Sequence, residues 1–151
     1  MLPSETSRHQ AHAATTYHTF IDEISRTGRI ASDTAEAAAV SVLAILEQRI
    51  PIEEVLDLEA QLPSHLRDLL EARRLQEGWL LRRFDRPEFL HRVAEELGVS
   101  DKRAEYLTRV VFQALQERVS PGEIEDVAAG LPESLALLWR HPGDTYVPGG
   151  P

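Results

Sequence analysis

The sequence contains no cysteine among its 151 residues. This absence excludes a disulfide framework, a thiol nucleophile and a cysteine-ligated zinc site. Long apolar runs are also missing, because no stretch approaches the roughly 18 residues that a transmembrane helix needs. The first residues are polar and alanine-rich, without an apolar secretory segment. We therefore expect a cytoplasmic protein with no membrane span.

The chain also has few basic residues relative to acidic ones. The chain has 16 Lys and Arg residues against 25 Asp and Glu residues, and its net charge is −9. Nucleic-acid binding depends on basic side chains that displace counterions from phosphates, so this charge argues against a nucleic-acid partner. The one basic cluster is interspersed with acidic residues and consists of Arg73, Arg74, Arg82, Arg83 and Arg86.

Signatures of catalysis are missing as well. The chain has no Gly-x-Ser-x-Gly elbow, phosphate-binding glycine loop or dinucleotide fingerprint. Ser64 and His65 are adjacent, and adjacent residues on a helix point about 100° apart, which prevents a nucleophile–base pair. Glu88 and His91 have the spacing of a di-iron motif, but the second such motif that this site needs is absent. The sequence thus predicts no catalytic residue, no cofactor and no metal site.

What the chain does contain is a repeat. Residues 20–70 and 89–139 share 13 identities in 51 positions at an offset of 69 residues, where chance gives about 3 to 4. Apolar residues recur at helical spacing in both copies. We therefore expect an all-α fold, a duplicated helical bundle with about four short helices per repeat, related by a pseudo-twofold axis. The repeat signature includes Arg49 and Arg118, Leu62, Pro63 and Leu66, and Leu131, Pro132 and Leu135.

Turn and capping residues predict where the helices end. Gly28, Gly98 and Gly130 are expected to stop helices, with Gly28 in the left-handed conformation. The serines at positions 32, 100 and 120 are expected to cap helix N-termini, and Ser120 with Glu123 forms a capping-box pattern. Pro63 and Pro132 should form corners between helices, anchored by the neighbouring leucines.

These signals divide the chain into five segments within one compact domain. Residues 1–14 read as a disordered N-terminal arm, 15–75 as repeat 1, 76–86 as a connector, 87–140 as repeat 2, and 141–151 as a disordered tail. His9 and His12 could bind a metal if the arm were helical, although a polar arm is the simpler interpretation. Trp79, Leu80, Leu81 and Phe84 of the connector are expected to pack over the seam between the repeats.

Three charged residues occur at equivalent positions of both copies. They are Arg49 with Arg118, Glu54 with Glu123, and Asp57 with Asp126. The simplest interpretation is structural salt bridges that tie the end of one helix to the next. The alternative is a pair of polar sites related by the repeat.

The doubled Leu-Pro-x-x-Leu signature, the pair Gly78-Trp79, the restart at Phe89 and the helix ends at Arg49-Ile50 and Arg118-Val119 together resemble a known family. They are similar to the bacterial domain-of-unknown-function family 2267, from about Tyr17 to Trp139. One departure is Ala136, where the family pattern has an arginine. The resemblance implies an all-helical duplicated bundle in prokaryotes and implies no catalytic residues.

Three functional hypotheses follow from these observations. The first is a non-enzymatic interaction module with a protein partner or a second copy of the chain. The second is a small-ligand or metal-binding protein with a site between the repeats, near Trp79 and His91. The third is a binder of anionic partners through the Arg73–Arg86 cluster. The candidate interaction surface comprises Arg73, Arg74, Trp79, Arg82, Arg83 and His91.

Overall fold

A computed structural model describes the backbone of residues 5–143 and the side chains of residues 16–143. Over this range the chain forms eight helices and no strand, which confirms the all-α expectation. The helices are α1 (Glu5–Gly28), α2 (Ser32–Glu47), α3 (Ile52–Glu59), α4 (Ser64–Glu77), α5 (Arg86–Leu97), α6 (Asp101–Gln116), α7 (Pro121–Ala129) and α8 (Glu133–Arg140). Helices α6, α7 and α8 each begin 69 residues after α2, α3 and α4. The twofold relation between the halves stays a prediction.

The first helix begins earlier than the sequence pattern indicates. Helix α1 starts at Glu5, so it covers most of the segment 1–14 for which the sequence predicts disorder. The predictions for residues 1–4 and 144–151 lie outside the described residues. The side chains of His9 and His12 lie outside them as well.

Buried residues from both halves form one hydrophobic core. Helix α2 packs against α1, α4, α5 and α6, and its Ala35, Ala38 and Ala39 are fully buried. Because alanine is small, neighbouring helices can approach α2 closely. Helix α6 supplies Phe112, whose ring lies 5.0 Å from that of the buried Trp139 in an edge-to-face arrangement. The centre of the molecule is therefore built from both halves.

The two Leu-Pro corners lie where the repeat predicts them. Pro63 directly precedes α4 and Pro132 directly precedes α8. The leucines on both sides of each proline are buried, namely Leu62, Leu66, Leu131 and Leu135. Their burial anchors each corner in the core, so the signature is structural.

Two of the three predicted serine caps are confirmed. Ser100 accepts a hydrogen bond from the Arg103 N–H, and Ser120 accepts one from the Glu123 N–H. The third is wrong, because Ala31 precedes α2 and makes no side-chain cap. The capping box is only half formed, because the Glu123 side chain does not accept from the Ser120 N–H.

The backbone N–H of Ser120 donates instead to Oε1 of Gln61, at 2.7 Å. This bond removes the backbone partner that a capping-box glutamate at position 123 would have. The Glu123 side chain is consequently available for other contacts.

All three glycines stand at the ends of their helices, as predicted, but the left-handed conformation predicted for Gly28 is wrong. Gly98 adopts the left-handed conformation, with φ of 68°. At the end of α1 it is Arg29, not Gly28, that has positive φ, at 54°. A Cβ atom at Gly28 would lie 3.3 Å from Cγ1 of Val110, so this glycine serves the close packing of α1 on α6. Gly130 is right-handed, and it similarly makes room for Ile50.

Candidate functional site

The connector lies between α4 and α5 as an extended segment fastened to the end of α2. Gly78 ends α4 with φ of 80°, and residues 78–85 form no helix. Three hydrogen bonds hold the segment: Trp79 Nε1 donates to Glu47 O (3.0 Å), Arg82 N to Gln48 O (2.7 Å) and Arg49 Nε to Phe84 O (2.9 Å). The connector is therefore an ordered part of the surface.

The side chains of the connector divide between core and solvent. Phe84 is buried between Arg49 of the first half and Phe89 of the second, which agrees with the expected packing over the seam. Trp79 is half-buried against α2 and α4, both of the first half, so it does not cover the seam as expected. The expectation is also wrong for Leu80 and Leu81, which are 64% and 46% exposed. Both lie in a segment whose backbone is held to α2, where no helical face directs them inward. Their apolar surface faces outward, next to the exposed Arg82 and Arg83.

The predicted arginine cluster is divided by its ion pairs. Arg73 pairs with Glu77 and Glu96, and Arg86 pairs with Glu105 at 3.1 Å. Arg74 is largely buried against Glu59. Within the described part of the chain, Arg82 and Arg83 form no ion pair. The free positive charge of this region is thus confined to two residues beside two exposed leucines.

His91 and Trp79 have different neighbours. It is exposed on α5 and pairs with Glu95 at 2.9 Å and with Asp101 at 3.1 Å. The hydrogen bond to Asp101 raises the pKa of His91 above its usual value. Trp79, by contrast, lines a cavity of about 20 Å³ between α2 and α4 and one of about 370 Å³ with Gln48, Leu80 and Arg82. His91 lines neither of them. The structure does not bring together the two residues that were predicted to share a pocket.

A buried ion cluster joins α2, α3 and α4. Arg74 donates to both carboxylate oxygens of Glu59, at 2.5 and 3.2 Å, and lies 3.7 Å from Glu47. Burial and the neighbouring Glu59 raise the pKa of Glu47 to about 10. One arginine thus faces two buried glutamates, so Glu47 keeps its proton at neutral pH. We interpret this cluster as a structural tie between the three helices.

Carboxylates from both halves meet between α3 and α7. Oxygen atoms of Glu54, Glu123 and Asp126 all lie within 4.8 Å of one another. We call these three residues the α3–α7 carboxylate cluster. Glu123 is only 7% exposed, and its Oε2 atom has no hydrogen-bond partner among the described residues. The Oε1 atom of Glu54 is likewise buried and without such a partner.

The surroundings of Glu123 are acidic. Burial raises its pKa to about 8, and the neighbouring Glu54, Asp57 and Asp126 act in the same direction. Helix α8 also packs on α7, but its Arg140 pairs with the exposed Glu125 at 2.8 Å. Such an arrangement favours the binding of a proton or a cation over a state in which all these carboxylates are ionised and unpaired.

Within the described residues, the repeated charges do not form salt bridges with one another, although Arg118 does form an ion pair elsewhere. Arg49 donates to the carbonyl oxygens of Phe84 and Gly130, and Arg118 pairs with Glu23 of α1. Neither arginine neutralises the α3–α7 carboxylate cluster. The sequence already contained the relevant signal, since Glu54 and Glu123 are repeat-related, as are Asp57 and Asp126. What it could not show is that these pairs face each other.

Comparisons with known proteins address the family. None of the described helices is long and apolar enough to cross a bilayer. A search of curated proteins found no match. A family model described as "Uncharacterized conserved protein (DUF2267)" matches residues 17–138, nearly the whole of the described helical fold. The match agrees with the resemblance carried by the Leu-Pro corners and the Gly78-Trp79 pair, and the chain belongs to the DUF2267 family.

Proposed function

We propose that this protein is a bacterial cytoplasmic interaction module without enzymatic activity, and that it binds its partner through the connector. The contact residues are Leu80, Leu81, Arg82 and Arg83, here named the connector face. The observation that carries the proposal is the exposure of two adjacent leucines on a segment held in place by hydrogen bonds.

The energetics of the connector face support binding. Full burial of a leucine side chain contributes about 1.5–3 kcal/mol, so two leucines supply a useful apolar anchor. Binding costs less when the binding segment is already ordered. The bond from Arg82 N to Gln48 O and the bond from Trp79 to Glu47 O provide that order.

The charge of the connector face indicates which kind of partner surface is complementary to it. Arg82 and Arg83 are exposed and, within the described residues, form no ion pair, so a partner with carboxylates around an apolar contact is complementary. The chain itself has a net charge of −9 and exposed apolar side chains such as Leu56. We infer that the partner is a second copy of this chain.

Sedimentation equilibrium over a range of protein concentrations tests this proposal. The Leu80→Ser/Leu81→Ser double variant should remain monomeric at concentrations where the parent associates, because the apolar anchor is removed. Leu137→Ser is the matched control, since Leu137 is 50% exposed on α8, outside the connector. It should associate like the parent.

Two results would contradict the proposal. One is a parent protein that stays monomeric at every concentration tested. The other is a double variant that associates as strongly as the parent, with circular dichroism showing that both are folded.

A further inference from the structure

We propose that Glu54, Glu123 and Asp126 bind one hard divalent cation of the Mg²⁺, Ca²⁺ or Mn²⁺ class between α3 and α7. The site is separate from the connector face. It joins a helix of the first half to a helix of the second.

The first argument is geometric. Carboxylate oxygens lie about 2.0–2.6 Å from Mg²⁺ or Ca²⁺, so oxygens on opposite sides of one ion are about 4–5 Å apart. The oxygens of the α3–α7 carboxylate cluster lie within 4.8 Å of one another. Every pair of these oxygens is thus close enough to share one ion, and the three side chains converge on one point between α3 and α7.

The second argument is the burial of Glu123. This side chain is more than nine-tenths buried and belongs to the cluster, and its Oε2 atom has no hydrogen-bond partner among the described residues. An isolated buried carboxylate is costly, and proteins relieve the cost with a counter-charge, a metal or a bound proton. A cation coordinated by the Glu123 carboxylate would supply that counter-charge.

The third argument is the local charge. In the part of the chain that the structure describes, no basic side chain forms an ion pair with Glu54, Glu123 or Asp126. Asp57, one turn after Glu54 on α3, adds a further negative charge beside Glu123. One proton neutralises only one of these four carboxylates, whereas a divalent cation neutralises two.

The chemistry of the donors selects the class of ion. All three side chains offer oxygen, and sites built from carboxylate oxygen and water suit Mg²⁺, Ca²⁺ and Mn²⁺. Nitrogen or sulfur donors, which favour zinc and copper, are not part of the cluster. Asp126 is exposed, so water can reach the ion and complete its coordination.

Isothermal titration calorimetry of the full chain tests the site, after treatment with chelator and with MgCl₂, CaCl₂ or MnCl₂ as the only added ion. We expect saturable binding of at least one of these ions with one site per chain. Glu123→Gln keeps the shape of the side chain but removes its charge. It should weaken that binding about tenfold or more, since even residues that only orient metal ligands contribute 10–100-fold.

Glu53→Gln is the matched control, because Glu53 is exposed on α3 next to Glu54. This substitution removes the same charge as Glu123→Gln. It should bind the ion with the affinity of the parent. Circular dichroism of both variants checks that they are folded. A second readout is the electron paramagnetic resonance signal of Mn²⁺, which the parent but not Glu123→Gln should broaden.

The proposal is overturned if none of the three ions binds saturably to the parent. It is also overturned if Glu123→Gln binds as tightly as the parent. Equal weakening by Glu53→Gln and Glu123→Gln would show general attraction to an acidic surface and would equally reject the site. These outcomes are independent of self-association through the connector face.

Discussion

Glu47 is a residue whose proton matters for stability. It is buried at the end of α2, where Arg74 binds both oxygens of Glu59 and leaves Glu47 without a full counter-charge. Arg73, also on α4, is directed to Glu77 and Glu96. The Oε2 atom of Glu47 has no hydrogen-bond partner among the described residues. Protonation is consequently the way in which the fold accommodates Glu47.

The stability of the fold should depend on pH through Glu47. Its pKa is about 10 in the folded chain and about 4.3 in an unfolded chain. Between these values the folded state holds the extra proton, so the stability due to Glu47 is complete below about pH 4 and declines as pH rises. Glu47→Gln cannot lose a proton. We expect it to exceed the parent in free energy of unfolding at pH 9 by several kcal/mol, since each pH unit above about 4.3 contributes about 1.4 kcal/mol, and to equal it near pH 4.5.

Urea denaturation at the two pH values, followed by circular dichroism with chelator present, measures this difference. Glu59→Gln is the contrasting control. It removes the carboxylate that pairs with Arg74, so it should destabilise the protein at pH 9. Parallel stability profiles for Glu47→Gln and the parent would show that Glu47 is ionised in the fold.

Single residues illustrate what the sequence can and cannot predict. The repeat singles out Glu54, Glu123 and Arg49 as important positions. Glu54 and Glu123 lie together between α3 and α7, and Arg49 donates to Phe84 O. The partner of each side chain is nevertheless a tertiary property. Arg49 binds carbonyl oxygens far along the chain, and no pattern of local spacing encodes that choice.

At the scale of the elements, α1 and α5 end in the same conformation with different residues. Position 29 is arginine with φ of 54°, and position 98, which lies 69 residues later, is glycine with φ of 68°. A left-handed conformation costs a residue with a Cβ atom roughly 1 kcal/mol or more, whereas glycine adopts it without that strain. The end of α1 therefore stores strain that the end of α5 avoids.

Substitutions at positions 29 and 98 should change the free energy of unfolding in opposite directions. We expect Arg29→Gly to raise the free energy of unfolding by about 0.5–1 kcal/mol and Gly98→Ala to lower it by about 1 kcal/mol. No atom lies within 4 Å of a Cβ placed at Gly98, so its change reports on the backbone alone. Urea denaturation measures both, and an Arg29→Gly variant less stable than the parent would contradict the strain.

Helix positions were predictable because each helix carries its own periodic signal, whereas helix ends were predictable only in part. Ser100 and Ser120 cap their helices because a serine before a helix has its acceptor next to the free N–H groups. Gly28 misled the prediction because glycine also occurs where two helices approach closely. Leu80 and Leu81 were placed wrongly because an extended connector has no periodicity that relates burial to sequence.

For the whole molecule, one core implies one unfolding transition. Helices of the first half pack on helices of the second through α1 with α6, α2 with α5 and α6, and α3 with α7. Loss of either half would expose a large part of the core of the other. Cooperative unfolding is the expected result for a single domain of this size.

The two tryptophans make this prediction measurable. Trp139 is fully buried in the second half, whereas Trp79 lies in the connector. In a Trp79→Phe variant the fluorescence reports Trp139 alone, and circular dichroism reports all the helices. We expect both signals to change at the same urea concentration. A fluorescence change that precedes the loss of helix would show that the halves unfold separately.

The hydrogen bonds of Arg49 have a consequence for the continuity of the chain. Its guanidinium, at the end of α2, binds the last part of the connector and the segment after α7. Together with the helix contacts between the halves, this joins the two parts of the polypeptide through space. The peptide bonds of residues 80–83 are therefore not what holds the molecule together. We expect a chain cut there, or a rearranged chain with new termini at that point, to fold with these contacts in place.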